Sequence, residues 1–408
     1  MSDINKESKT KILLNQIGIL LLYVVGGSGG FEKAAAQACI EAWADVPAAS
    51  VRSLTTVPGL VCLPVMLLLG LVVGKKIGNV YIKFRPILIA GTLMSGICGI
   101  IPFFYAPSWG FVMTMRVFMG IGLGIIMLRN GILLKSVSRE KKATMVGIGY
   151  FCNNITQLIV SPVVGKLVAK GWNYAFLINL ITVVVAVLLI LFIKEPEQDK
   201  DAQLSFKKED KSTKAPVDKR TYLLVLFMLI QINASYPLLS GMSTFIKARD
   251  LGDAAVAGMV ISSYSIGSMT ANFFLGKLHK LLKNNVLWVF YGIFGIGQAL
   301  VFYALGIAFA FAGTIMCGFG FYGALSSLQA ISGKINPPGQ ITKCSTWIEG
   351  ANRLGVYTSS YYISLAYIIF GAVGTGSDVE ACYFSAIIIY GVLALFNLVF
   401  KKKIVPNE

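Results

Sequence analysis

The chain has 408 residues, 56% hydrophobic and only 13% charged, with a formal net charge of +17. Soluble domains carry roughly 25% charged residues, so a chain this apolar cannot clothe itself in polar surface, and a water-soluble globule is excluded. Excess base alone would suit a nucleic-acid binder, but its placement along the chain ties it to a bilayer and argues against nucleic acid.

Twelve apolar runs follow one another, each near the ~20 residues of helix that a ~30 Å hydrocarbon core requires. They are predicted at 12–31, 51–73, 85–105, 109–128, 144–168 and 174–193, then at 222–245, 255–276, 286–305, 308–331, 344–373 and 381–400. We number them spans 1 to 12. Span 1 is full length and lacks a small-residue cleavage context, so it reads as a retained helix and not a signal peptide. It ends at Gly26, Gly27, Gly29 and Gly30, whose conformational freedom suits either a moving gate or a plain helix terminus. Span 2 leads into GLVVGKKIGN, which begins at Gly70 and includes Gly74, Lys75, Lys76 and Gly78.

Span 4 holds Arg116 together with Gly120, Gly122 and Gly124. A charge well inside a span costs several kcal/mol. Arg116 therefore either offers its fork of donors to an anion in an aqueous cavity or bonds backbone carbonyls opened by the glycines. The GIGLG segment follows no strand, so close helix packing explains it better than a dinucleotide loop. Span 5 offers Asn153, Asn154 and Gln157 and closes on Ser161, Pro162 and Gly165. From 194 to 221 the chain mixes Lys, Glu, Asp, Gln and Ser with scarcely an apolar residue, the composition of a flexible linker. It separates two halves, 1–193 and 222–408, of six spans each.

In the second half, span 7 carries Asn233, Tyr236 and Pro237, and the proline is expected to kink it. Span 8 carries Tyr264 among several serines, and is followed by GKLHKLLKNN, which begins at Gly276 and includes Lys280. This echoes the sequence after span 2 at the equivalent place, as parallel repeats do. The sole histidine, His279, is predicted in that connection, which excludes His-based acid–base or metal chemistry inside the bundle. In span 10, Phe319, Phe321 and Tyr322 read as an aromatic cavity wall or as packing. Span 11 carries Glu349 and Arg353 one helical turn apart, so they share a face. Thr346, Asn352, Tyr357, Ser360 and Ser364 extend that face into a polar stripe within about 140° of arc. Such a stripe lines a cavity, or else the two charges simply neutralise each other. The seven cysteines form no CxxC pair and read as packing residues; a disulfide between Cys39 and Cys382 is weakly supported. No phosphate-binding loop with Lys and Ser or Thr follows a strand, so neither ATP drive nor any cofactor or metal is implied.

Most Lys and Arg fall in alternate connections, those on the side of the N-terminus, including Arg129, Lys135, Arg139, Lys141 and Lys142. The opposite connections hold only Lys33, Arg52, Lys166, Lys170, Lys247 and Arg249. Because cytoplasmic loops retain base, this places both termini in the cytoplasm and supports an even number of crossings.

Twelve spans divided six and six, with a Gly-led basic motif after the second span of each half, resemble the major facilitator superfamily of secondary transporters. The superfamily's loop motif has an acid four residues after the first Gly. Here Gly74 or Lys75 stands in its place, followed by Lys76 and Gly78, and Lys280 stands there in the second half. Arg116 and Gly120 resemble the family's span 4 pattern, with Met119 where many proton-coupled members have Gln. Ser161, Pro162 and Gly165 are similar to the tail of the antiporter motif. The resemblance implies an all-α polytopic membrane protein of two pseudo-symmetric six-helix halves, working by alternating access as a monomer in the cell inner membrane, and not an enzyme. It favours Asn233 and Tyr236 as substrate contacts, since the first helix of each three-helix repeat lines the cavity, with Tyr264 and Tyr357 beside them. Arg116 and Arg353 tilt the substrate toward a small organic anion, with Glu349 as proton carrier in symport. Efflux of a drug or metabolite by antiport, and a receptor that binds solute without moving it, are the alternatives.

Overall fold

In a computed structural model of the chain, the described residues are 14, 16–26, 39, 42–46, 48–73, 76–77, 80–136, 141–168, 170–193, 216–252, 254–374 and 377–404. All twelve spans have described helix. Span 1 is Gln16–Gly26, span 2 Ala48–Val72, span 3 Phe84–Phe104, span 5 Lys142–Val168, and span 8 Ala254–Leu282. Span 9 is Val286–Phe302, span 10 Ile307–Ile335, span 11 Ile341–Phe370 and span 12 Asp378–Ile404. Span 6 begins as a 3₁₀ segment, Trp172–Asn179, and continues as α-helix to Phe192. Span 7, Arg220–Ser240, contains Pro237, breaks at Gly241 and resumes as Met242–Ala248. A two-residue hairpin follows span 2, pairing Lys76 with Tyr81 and Ile77 with Val80.

Span 4 shows how local chemistry sets a boundary. Ser108 caps it, its Oγ accepting from the Phe111 N–H at 3.3 Å, which satisfies one of the donors a helix start leaves open. The helix pauses after Ile126 and resumes as Arg129–Ser136, and Trp109–Leu134 is one continuous segment long and apolar enough to cross a membrane. The predicted end at 128 falls in that pause, and the apolar segment continues beyond it. Arg129 is not a connection residue but a buried one, 2% exposed.

Two other predicted loop residues are also within the bundle. His279 lies in the span 8 helix, buried, with Nε2 2.9 Å from Ser327 Oγ. Lys142 opens span 5, buried, with Nζ donating to the Gly333 carbonyl at 2.5 Å. Long basic side chains at helix ends can turn inward onto free backbone acceptors, and composition alone does not distinguish them from solvated ones. All seven cysteines are free thiols, so the Cys39–Cys382 disulfide is not formed.

By backbone proximity the chain forms two compact units. One comprises Met1–Val137, Cys152–Pro216 and Pro337–Thr346; the other comprises Ser138–Phe151, Val217–Asn336 and Trp347–Glu408. In the first unit span 3 packs on span 4, span 2 on span 4, and span 3 on span 6; in the second, the same pairings recur six spans later as 9 on 10, 8 on 10 and 9 on 12. The first unit's core gathers Leu54, Val112, Val164 and Phe176, with Trp43, Trp109 and Trp172 packed on it. In the second unit Phe294 stacks on Tyr390 at 3.7 Å between ring centroids. Outward faces are apolar, with Leu68, Ile368 and Val399 exposed, a surface suited to lipid and not to water.

The glycines that lead the two loop motifs make matching contacts. A methyl on Gly70 would meet Thr346, and one on Gly276 would meet Thr144. At each place a helix crosses too closely for a side chain, which gives the repeated motif a packing role. Lys280 is exposed, and Gly74, Lys75 and Gly78 lie outside the described residues, as do Gly27, Gly29 and Gly30.

Candidate functional site

Span 11 is the most polar of the long helices in the second unit. Glu349 and Arg353, i and i+4, form an ion pair at 3.6 Å, with the Glu349 side chain 4% exposed and the Arg353 side chain 36% exposed. Tyr150, from the start of span 5, donates its hydroxyl to Glu349 Oε2 at 3.3 Å. The Tyr150 ring lies 6.5 Å from that of Tyr322, which lies 6.0 Å from that of Tyr264. Spans 5, 8, 10 and 11 thus bring a carboxylate, a guanidinium and three phenols into one cluster.

The stripe runs from buried to open along the helix. Thr346 is buried and bonds the Thr342 carbonyl at 2.7 Å, Asn352 is half-buried, and Tyr357 and Ser364 are exposed. The Tyr357 ring meets Tyr361, one turn on, at 6.0 Å. Asn233 of span 7 joins this helix, accepting from Thr358 Oγ1 at 3.0 Å while donating to the Leu229 carbonyl at 2.9 Å. Tyr236 is half-buried one turn further along span 7, where Pro237 supplies no N–H to the helix ladder.

Arg116 belongs to the first unit. It is fully buried, with Nε donating to the Leu54 carbonyl at 3.0 Å and Nη1 3.0 Å from Met119 Sδ. Of the two readings open for it, the structure displays the contact to a backbone carbonyl. Its glycines pack where expected: Gly120 faces Pro58 and Gly124 faces Val65, both on span 2.

Sequence reading did not single out Tyr150, because nothing local marks a span 5 tyrosine as the partner of a span 11 carboxylate. Arg129 was also missed, although Ile132, Leu133 and Leu134 continue the apolar run beyond it. Among the described residues no group of His, Cys, Asp and Glu has the arrangement of a metal site.

Residues 19–359 match the family model for the Major Facilitator Superfamily. The chain belongs to that superfamily. It is an integral, multi-pass membrane protein with the twelve-helix fold of secondary transporters that move small solutes by alternating access, which points to a transporter and not an enzyme. Solved structures share the fold at low identity. The human organic anion transporter MFSD10 (TETRAN) is 11% identical, with a TM-score of 0.71 over 95% of this chain and 99% of its own. FucP in the outward conformation is 12% identical, with a TM-score of 0.69 over 95% and 99%. The proton:xylose symporter XylE, bound to 6-bromo-6-deoxy-D-glucose, is 16% identical, with a TM-score of 0.68 over 96% of each chain. No curated protein matches the sequence.

Proposed function

We propose that this superfamily member moves a small organic anion by proton symport, with Glu349 carrying the proton and Arg353 meeting the substrate's negative charge. The observation that carries this reading is the buried Glu349, paired to a half-exposed Arg353 and held by Tyr150. Protonation neutralises the acid and frees the guanidinium, so proton and anion binding become linked through one pair. Tyr264, Tyr357, Asn233 and Tyr236 supply the polar and aromatic surroundings for the anion. A human organic anion transporter and a proton:xylose symporter are among the proteins that share the fold, which makes both parts of the reading compatible with it. The working unit is a monomer of two six-span halves, 1–193 and 222–408, joined by a linker at 194–221. Both termini lie in the cytoplasm and the chain sits in the cell membrane, as the distribution of Lys and Arg supports.

Purified protein in liposomes, given labelled lactate and succinate, tests this. An inward proton gradient should drive accumulation, and Arg353→Ala should abolish substrate binding while the protein stays folded. Binding without counterflow would identify a solute receptor instead, and accumulation driven only by an outward-directed exchange would favour the antiporter reading.

A further inference from the structure

The first unit contains a second charged cluster that the proton-coupled reading does not use. Arg129 of span 4 is 2% exposed, and among the described residues no carboxylate pairs with it. Its Nη1 donates to the Leu22 carbonyl at 3.2 Å and its guanidinium lies 4.6 Å from the centre of the Tyr23 ring, while its buried Nε has no acceptor. Around it are Asn153, which donates to the Tyr23 carbonyl at 3.2 Å, and Asn130, which accepts from the Tyr23 hydroxyl. Asn154, 1% exposed, follows on the same helix with Nδ2 unpartnered.

The cluster is unbalanced in two ways. One carbonyl at 3.2 Å and one ring face are weak compensation for a guanidinium removed from water, whose desolvation costs several kcal/mol. The buried Nε also has no acceptor. Arg129 Nη2 and Asn153 Nδ2 would each lie 2.6 Å from a methyl placed on Gly26, so two N–H groups crowd one point that only a glycine leaves open. A ligand that restores balance must be negative and consist of acceptors.

We propose that Arg129 and Asn153 form a binding site for a small monocarboxylate, closed in this structure by the Tyr23 ring and the backbone of span 1. One negative charge matches one uncompensated guanidinium, and the two oxygens of a carboxylate match the planar fork of its Nε and Nη2. A divalent anion would leave net charge in the bundle. The site uses residues of the first unit and shares none with the Glu349 and Arg353 pair, so either reading can fail without the other.

Thermal unfolding of the full-length purified protein in sodium acetate, against sodium chloride and sodium phosphate at matched ionic strength and pH, tests the site. Acetate should raise the unfolding temperature saturably, as a ligand of the folded state does. Arg129→Lys, which keeps charge but loses the fork, should weaken apparent affinity by about tenfold or more. Asn153→Asp supplies an internal carboxylate beside Arg129, so it should raise the unfolding temperature without acetate and abolish the acetate response. No acetate shift in the wild type, an equal shift with chloride, or an undiminished shift in Asn153→Asp would each overturn the proposal.

Discussion

Arg353 in span 11 has a carboxylate one turn away, whereas Arg129 in span 4 has none among the described residues. The first is half-exposed and paired with an acid; the second is buried, with no acid paired to it among the described residues. A neutral pair can change state by taking up a proton, because its acid is titratable. An isolated guanidinium cannot, since it stays protonated at any physiological pH; it can only acquire a counter-ion. On the two proposals made above, the same residue type would serve a proton-linked role in one unit and an anion-attracting role in the other, the difference being a neighbouring Glu.

A third arginine provides a structural control for this contrast. Arg249 pairs with the buried Glu380 at 2.6 Å and lies over the rings of Phe245 and Phe302. Glu380→Gln should cost about 3–5 kcal/mol, the range for removing one partner of a buried pair, read as a fall in unfolding temperature of the purified protein. The pH dependence of transport should stay that of the wild type. A shifted pH profile would mean that ion pairing alone does not separate structural from proton-coupling roles.

Close packing gives a smaller effect. Gly276→Ala would push a methyl onto Thr144, and overpacking of this kind costs about 1–3 kcal/mol. Thr144→Ala in the same chain should recover part of the loss, measured by the double-mutant cycle. Gly70→Ala, against Thr346, should behave alike if the two motif glycines have equivalent roles.

The smallest expected effect lies at the start of span 7. Asp218 accepts from Arg220 Nε at 3.0 Å and Nη2 at 2.6 Å, which holds its carboxyl below the usual carboxylate range. The pair's contribution is therefore full above that range and disappears as pH falls through the lowered value. Asp218→Asn should cost under about 0.5 kcal/mol near neutral pH, because the pair is partly solvated. The difference from wild type should vanish in acid.

Much of the fold was legible because a hydrocarbon core imposes one length on every crossing. Glu349 and Arg353 were legible for a similar reason: a four-residue spacing on a helix is a local fact. Arg129, Lys142 and His279 were assigned to connections because a basic residue at the end of an apolar run looks the same whether it meets water or turns onto a carbonyl. Tyr150 stayed anonymous and Tyr322 was read only as part of an aromatic wall or as packing, since their relation to Glu349 exists only once spans 5, 10 and 11 are packed. Arg116 was recognised as unusual, but only the Leu54 carbonyl at 3.0 Å shows what it touches.

The most direct test of proton coupling is to compare pH-driven uptake with counterflow for Glu349→Gln in proteoliposomes, using labelled lactate and succinate. The expected result is a loss of about 100-fold or more in gradient-driven accumulation, equivalent to roughly 2.7 kcal/mol, with counterflow preserved. Gradient-driven accumulation at the wild-type level would contradict the role of Glu349 as proton carrier.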